Sequence, residues 1–286
     1  DAQSAAAVRA ARLVGGGAVV VARHAVLRTT YEVSGEGFVQ RVGRVPEGER
    51  LLREVSAAND EAARAVAAAD ASAGFDLLGG EGVLRCTLVR VSAERHLLLL
   101  NAHHVAFDGG STGVLLGELG AAYRALSDGG SVEDASLAEL PVQYVDYALW
   151  QRTDLASTLE SQREYWCGQL REGLLPVLEL PTDLPRPAAQ TFTGATVSVS
   201  VSAETTAGLE AVARTHGCTL YQVVLGLWAL LLCRHSGQDE VVIGSPYHGR
   251  DVAGTEALVG YFINMLALRI EVSRGGSVGE LLRGAR

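Results

Sequence analysis

Two adjacent histidines, an aspartate four residues further on and a glycine pair fall in one short stretch, Asn101-Ala102-His103-His104-Val105-Ala106-Phe107-Asp108-Gly109-Gly110. An imidazole can accept or give a proton near neutral pH. Glycines let the backbone come close to a ligand, and the first N–H groups of a following helix can face developing negative charge. Successive strand side chains point to opposite faces. Only one of His103 and His104 therefore faces a given cleft, and the other points into the protein. The plainer alternative is a satisfied pair of core histidines. A metal set of His103, His104 and Asp108 is disfavoured, because adjacent strand residues diverge and cannot easily grip one ion.

A second pattern overlaps the first. Gly109-Gly110-Ser111-Thr112-Gly113 matches G-x-S-x-G, the strand-to-helix elbow that presents a nucleophilic serine. Triad partners would have to come from Asp183, Asp239, Asp251, His216, His235 or His248. The preceding apolar strand is expected to stop near His104, well short of Ser111, so Ser111 reads as an ordinary helix N-cap.

The elements that must hold these groups follow from periodicity. Val83–Val91 and His96–His104 read as a hairpin around Ser92–Arg95, with the second strand central to a sheet. Ser111–Leu126 reads as the helix that follows. Upstream, Ala5–His24 reads as a helix, although the triplet Gly15-Gly16-Gly17 inside it costs about 1 kcal/mol per glycine. Tyr31–Val45 reads as strand, turn and strand, and Glu47–Ala69 as a helix. Val142–Gln151 and Ser157–Leu170 follow as helices. Leu180–Gln190 carries three prolines and no periodicity, and marks a domain boundary. Beyond it come a strand at Ala195–Val201, helices at Ala203–His216 and Thr219–His235, a strand at Glu240–Ser245, a loop at Pro246–Gly254 and a long strand at Val259–Val272.

The 286 residues suffice for one large or two ordinary domains, and 48% hydrophobic with 20% charged residues is a globular composition. The net charge of −9 argues against nucleic acid or an anionic membrane as the main partner. All 24 basic residues are arginines. Without lysine, Schiff-base chemistry and a P-loop are excluded. The longest apolar run, Val223–Cys233, is far below the ~20 residues of a membrane span. No signal peptide is seen, and Cys86, Cys167, Cys218 and Cys233 form no CxxC pair. Reduced, mostly buried thiols in a cytoplasmic protein are expected.

His103–Gly109 (HHVAFDG) resembles the HHxxxDG signature of nonribosomal peptide synthetase condensation domains, in the chloramphenicol-acetyltransferase-like superfamily. Other segments agree in order. Ala22–Tyr31 (ARHAVLRTTY) resembles RHExLRTxF, and Tyr144–Gln151 (YVDYALWQ) resembles YxDYAxWQ. Leu178–Pro187 (LELPTDLPRP) resembles the crossover between the family's lobes. Val241–Arg250 (VVIGSPYHGR) and Val259–Leu268 (VGYFINMLAL) resemble IGxPxxGR and VGxFVNTLAL. The chain departs from the pattern at Ala25, Gly110, His248 and Met265, where Glu, an aromatic residue, a different residue and Thr are usual.

The resemblance implies an α/β fold of two acetyltransferase-like lobes in a V, the second lobe incomplete. Residues 1–178 would form the N-terminal lobe, 179–190 the crossover and 191–286 part of the C-terminal lobe. The chain is expected to be a piece of a longer one, because the family's first strand and the end of the second lobe have no counterpart. His104 and Gly109 would act at the reacting centre, with His103, Asp108, Arg250, Arg23 and Arg28 structural around it. Asp108 needs a cationic partner, with Arg250 first and Arg23 or Arg28 second. For Arg23 and Arg28, a cation at a helix C-terminus is the plainer reading. Gly110, Ser111, Tyr261 and Asn264 would line the substrate tunnel. Tyr261 and Asn264 are equally ordinary strand residues if that match fails.

The implied reaction joins a donor acyl or peptidyl thioester to the amine of an acceptor aminoacyl thioester. Both are carried on 4'-phosphopantetheine arms of carrier domains, beside an adenylation domain, with no cofactor bound directly and no metal. The helix after the motif and the crossover resemble members that take an L donor and an L acceptor. The alternatives are a non-catalytic recruitment or epimerisation relative, a free acyltransferase, or a serine hydrolase using Ser111.

Overall fold

The structure is a computed structural model that describes residues 2–35, 37–155, 159–170, 175–191 and 193–285. It divides into two compact units that interleave in sequence. Unit 1 comprises Asp1–Ser157 with His248–Asn264, and unit 2 comprises Thr158–Tyr247 with Met265–Arg286. The sequence suggests a linear division at 179–190. In the structure, the segment His248–Asn264 returns to unit 1.

Unit 1 opens with α1 (Ala2–Arg23). Two glycines of its triplet, Gly15 and Gly16, are accounted for by α3 (Gly109–Ser127), whereas a β-carbon on Gly17 would meet nothing within 4 Å. A β-carbon on Gly15 would lie 3.0 Å from Leu126 Cδ1, and one on Gly16 would lie 3.4 to 3.6 Å from Leu119, Ala122 and Tyr123. The missing side chains let the two helices approach closely, which offsets the low helix propensity of glycine. Strands β1 (Thr29–Ser34) and β2 (Gly37–Val42) form an antiparallel hairpin in register Thr29↔Val42.

The expected helix at Glu47–Ala69 is corrected. A single 3-10 turn at Gly48–Arg50 leads into β3 (Arg53–Ser56), and only then comes α2 (Asp60–Ser72). The charged and apolar residues there do recur at helical spacing. However, Gly48 takes a left-handed φ of 58°, and Arg53–Ser56 pairs in parallel with β4 (Leu84–Arg90). The side chain of Asn59 caps α2 by accepting from Ala62 N at 2.9 Å.

β4 also pairs antiparallel with β5 (His96–Ala102), from Leu84↔Ala102 to Arg90↔His96. The order is β3-β4-β5. β4 is therefore the central strand of the described sheet, and β5, expected there, lies at its end. Helix α4 (Tyr144–Asp154) completes the unit's elements. Its core gathers Val20, Val26, Tyr31, Val83, Leu115 and Val259. Tyr144 and Tyr147 pack on Phe262 with ring centroids 5.2 and 4.8 Å away. Burial, with neighbouring acidic groups, pushes the Tyr144 phenol up to about 12.

Unit 2 contains α5 (Leu159–Leu170), α6 (Ala203–His216), α7 (Leu220–Ser236), β6 (Glu240–Tyr247), β7 (Asn264–Glu271) and α8 (Val278–Gly284). Asn264, the first residue of β7, is counted with unit 1. Strands β6 and β7 pair with each other. Thr219 and Gln222 cap α7 reciprocally, at 3.2 and 2.9 Å. Leu225, Ala229 and Cys233 from α7 pack with Val241 and Ile270.

The strand expected at Ala195–Val201 is corrected. Its alternation is real, but these residues pair with no strand, and Val197 and Val199 are more than four-fifths exposed. The thiols are free, but they are not mostly buried as expected, since Cys86 and Cys218 are half-buried. Cys167 is exposed, whereas Cys233 is buried. Among the described residues, no single helix is long and apolar enough to cross a membrane. The bent pair Ala203–His216 and Leu220–Ser236 passes that test together, at an angle of 102°.

Candidate active site

Strand β5 ends at Ala102, and the chain then turns through His103–Phe107 into α3. The two histidines part as expected. The His103 backbone N–H donates to Val83 O at 2.8 Å, which ties the turn to the residue just before β4. Its Nδ1 accepts from Val105 N–H at 3.0 Å, so the ring proton of the neutral form sits on Nε2. The ring also meets Phe75 edge-on. Beyond Phe75 lies Arg85, whose guanidinium covers the Phe75 ring and pairs with Asp70. His104 is exposed. Its ring meets Tyr261 edge-on, with centroids 5.2 Å apart, and its nitrogens carry no hydrogen bond among the described residues.

Asp108 is the N-cap of α3, not Ser111, because its carboxylate accepts the Ser111 N–H at 2.8 Å. The same Oδ1 accepts from Ser111 Oγ at 2.8 Å and from Arg250 Nη2 at 2.9 Å. Oδ2 accepts from Phe262 N–H at 3.0 Å. Burial alone would raise the Asp108 pKa. The donors from Phe262, Ser111 and Arg250 outweigh it and hold the carboxyl below the usual carboxylate range.

Arg250 is the expected cationic partner. Its Nη1 donates to Thr255 O and Leu258 O at 2.8 and 2.6 Å, and its guanidinium lies 4.1 Å over the Phe262 ring. The other two candidates do not reach Asp108. Arg23 Nε donates to Glu118 at 2.8 Å, and its position in the last turn of α1 fits the plainer helix-end reading. Arg28 Nη1 donates to Gly43 O at 2.7 Å. Both arginines hold the scaffold and take no part in pairing Asp108.

The reading of Ser111 as a tunnel residue or nucleophile is corrected. It is fully buried. Besides Asp108 it bonds to Gly260 O at 2.9 Å, and it accepts from Gly260 N–H and Arg250 Nη2, each at 3.0 Å. Among the described residues no histidine is its partner, and a hydroxyl so occupied is not poised to attack an acyl carbon.

The segment 259–262 is pinned at four consecutive residues. Val259 N–H donates to His24 Nδ1 at 3.3 Å, and Gly260 is held at both backbone groups by Ser111. Tyr261 O accepts from the Tyr144 hydroxyl at 2.8 Å, and Phe262 N–H goes to Asp108. This places the Tyr261 side chain against His104. Asn264 only reaches back to Phe262 O at 3.3 Å. Gly109 is exposed at the first turn of α3, and a β-carbon there would meet nothing within 4 Å, so the backbone is approachable. Gly110 is tightly flanked by Arg250 and His248.

Neither His24 nor Glu118 is singled out by the sequence motifs as a linked pair. His24 is buried and, accepting at Nδ1, donates from Nε2 to Glu118 at 2.8 Å. Burial would raise the Glu118 pKa, but the contacts from His24 and Arg23 hold it low. A signal was present, since Glu118 lies seven residues beyond Ser111 on the same helical face as Leu115 and Ala122. A carboxylate on a buried stripe requires a partner.

The condensation domain family model matches residues 7–286. The chain is 40% identical over 272 residues to a linear gramicidin synthase protein of Brevibacillus parabrevis, covering 93% of this chain and 3% of that protein. It is 40% identical to the phosphinothricin tripeptide synthetase PhsB of Streptomyces viridochromogenes, covering 93% and 22%. It thus spans a small fraction of these curated relatives. Among solved structures, the X-domain from teicoplanin biosynthesis superposes with a TM-score of 0.86 at 28% identity, over 96% of this chain and 61% of that one. The first condensation domain of the calcium-dependent antibiotic synthetase shares the fold, with a TM-score of 0.71 at 23% identity, over 96% and 64%. The mixed helix and strand architecture, the pairing of Asp108 with Arg250 and these matches agree: the chain belongs to the condensation domain family.

Proposed function

We propose that this chain forms an amide between a donor acyl or peptidyl thioester and the amine of an acceptor aminoacyl thioester, as part of a nonribosomal peptide synthetase. The observation that carries this reading is His104, an exposed imidazole whose nitrogens carry no hydrogen bond among the described residues, set against Tyr261 near the open backbone of Gly109. An α-amine is mostly protonated near neutral pH and must lose a proton to attack. His104 would accept that proton or orient the amine, and the free N–H groups at the start of α3 would face the developing oxyanion. The thioester is already activated, so positioning two tethered substrates supplies much of the acceleration.

Upstream and downstream carrier domains would deliver both groups on 4'-phosphopantetheine arms, with an adenylation domain nearby, in the cytoplasm. An L donor and an L acceptor are the proposed pairing. The lobe assignment 1–178, 179–190 and 191–286 belongs to the same proposal.

The test uses the domain at the full length of its solved relatives, with both carrier domains loaded, and weighs each carrier by intact mass spectrometry. The acceptor should gain the donor acyl mass, and His104→Ala should lower that gain by about 10²–10⁴-fold, the range of a lost general base. A second reading, a recruitment domain, is favoured by the superposition on the X-domain, which is also solved as a complex with OxyB. It predicts no acyl transfer with any loaded pair and no effect of His104→Ala.

A further inference from the structure

His24 is 1% exposed, so its ring nitrogens must be satisfied inside the protein. Each has a partner. Nδ1 accepts from Val259 N–H at 3.3 Å, and Nε2 donates to Glu118 Oε2 at 2.8 Å. The other oxygen of Glu118 accepts from Arg23 Nε at 2.8 Å, which fixes the carboxylate that holds the ring. The backbone on either side of His24 is clamped by one side chain. Gln143, at the N-cap of α4, donates to Arg23 O and accepts from Ala25 N–H, both at 3.0 Å. The next residue, Tyr144, donates to Tyr261 O. Two attachments of one short segment, at Val259 and at Tyr261, thus start from the same junction between the end of α1 and the start of α4. All of these residues lie in unit 1.

This arrangement has a chemical requirement. A neutral imidazole offers an acceptor and a donor on one rigid ring. An asparagine amide reaches only the Nδ1 position, and a glutamine amide only the Nε2 position. His24 uses both nitrogens, and so ties Val259 to α3, the helix into which the histidine motif runs.

We propose that His24 is a positioning residue for acyl transfer: the link from Glu118 through His24 to Val259 sets the backbone of residues 259–261 so that Tyr261 packs against His104. The reaction in this statement rests on the condensation reading, and the placement of Tyr261 rests on geometry alone. His24 acts through that segment and not on the reacting atoms.

The test separates the two ring contacts, on the domain at the full length of its solved relatives with both carrier domains loaded. His24→Gln keeps the donor to Glu118 and loses the acceptor for Val259. His24→Asn keeps the acceptor and loses the donor. His24→Gln should lower kcat about tenfold, the size of one lost hydrogen bond, with KM for the loaded carriers unchanged. The side-chain NMR signal of His104, assigned by its absence in His104→Ala, should move in the same variant, because Tyr261 shifts against the ring. His24→Asn should restore most of kcat and return that signal to its place. Equal losses of kcat in the two variants, in step with their urea midpoints, mark a merely structural residue and overturn the proposal. So does a fall in kcat with the His104 signal unmoved. If either variant fails to fold, Glu118→Gln takes its place, since it keeps the shape and removes the charge that holds the ring. A moved His104 signal then supports the link, and an unmoved one overturns it. Absence of turnover in the unsubstituted domain overturns the condensation reading, while the His104 signal still decides the placement of Tyr261.

Discussion

His104 and Asp108 stand four residues apart in one short segment and occupy opposite environments. Asp108 is buried and accepts four hydrogen bonds, from Ser111 N–H, Ser111 Oγ, Arg250 and Phe262. His104 is exposed and accepts none among the described residues. Rigidity is concentrated at the buried Asp108. The saturated carboxylate fixes the start of α3 and the segment 259–262, and Tyr261 in that segment packs against the exposed imidazole of His104.

The contrast breaks first at Arg250. Arg250→Ala leaves the Asp108 carboxylate buried and uncompensated, and should cost about 3–5 kcal/mol by urea unfolding. A cost near zero would mean that the knot is not what holds the segment.

Asp108→Asn should cost somewhat less, about 2–3 kcal/mol at pH 7, since it keeps the shape and loses the charge. It also carries a pH signature. The folded-state pKa of Asp108 is depressed, so its contribution is present above the unfolded value of about 3.9 and is lost as pH falls through the lower folded value. Acid unfolding of the Asn variant should therefore be shallower below pH 4. Glu118, shifted the same way, retains part of the slope. A slope identical to that of the unsubstituted chain would place the acid lability elsewhere.

Ser111→Ala should cost about 1–2 kcal/mol, because the N–H of Gly260 loses its acceptor. Acyl transfer per folded molecule should persist, and its complete loss would return Ser111 to the chemistry. The smallest stability effect belongs to His104→Ala, within about 0.5 kcal/mol by the same unfolding, as for exposed positions generally. A larger cost would show the imidazole to be structural and erase the contrast.

The sequence carried the pairing of Asp108 with Arg250, the divergence of the two histidines and most helices, because motif order and local periodicity are written in single segments. It misled where tertiary pairing overrides a local pattern. Arg53–Ser56 has helical spacing but is claimed by β4, and Ala195–Val201 alternates as a strand without a partner. The N-cap was misassigned by three residues, since Asp108 and Ser111 are both good caps and only the 2.8 Å contact separates them. The closeness of His248 to Gly110 joins residues 138 positions apart, and no local rule reaches that far.

The sequence distance between Asp108 and its partners also bears on synthesis. Arg250 leaves the ribosome 142 residues after Asp108, and Phe262 follows 154 residues after it. At roughly 5–20 residues per second, that delay is on the order of ten seconds. During it the first 157 residues are complete as a nascent chain but lack their last segment, with Asp108, Ser111 and the Val259 side of the core still wet. Helices α6 and α7 emerge in the same interval. The domain therefore cannot mature strictly from its N-terminus, and a chaperone holding the nascent chain would find its exposed surface in the very region that later closes around the histidine motif.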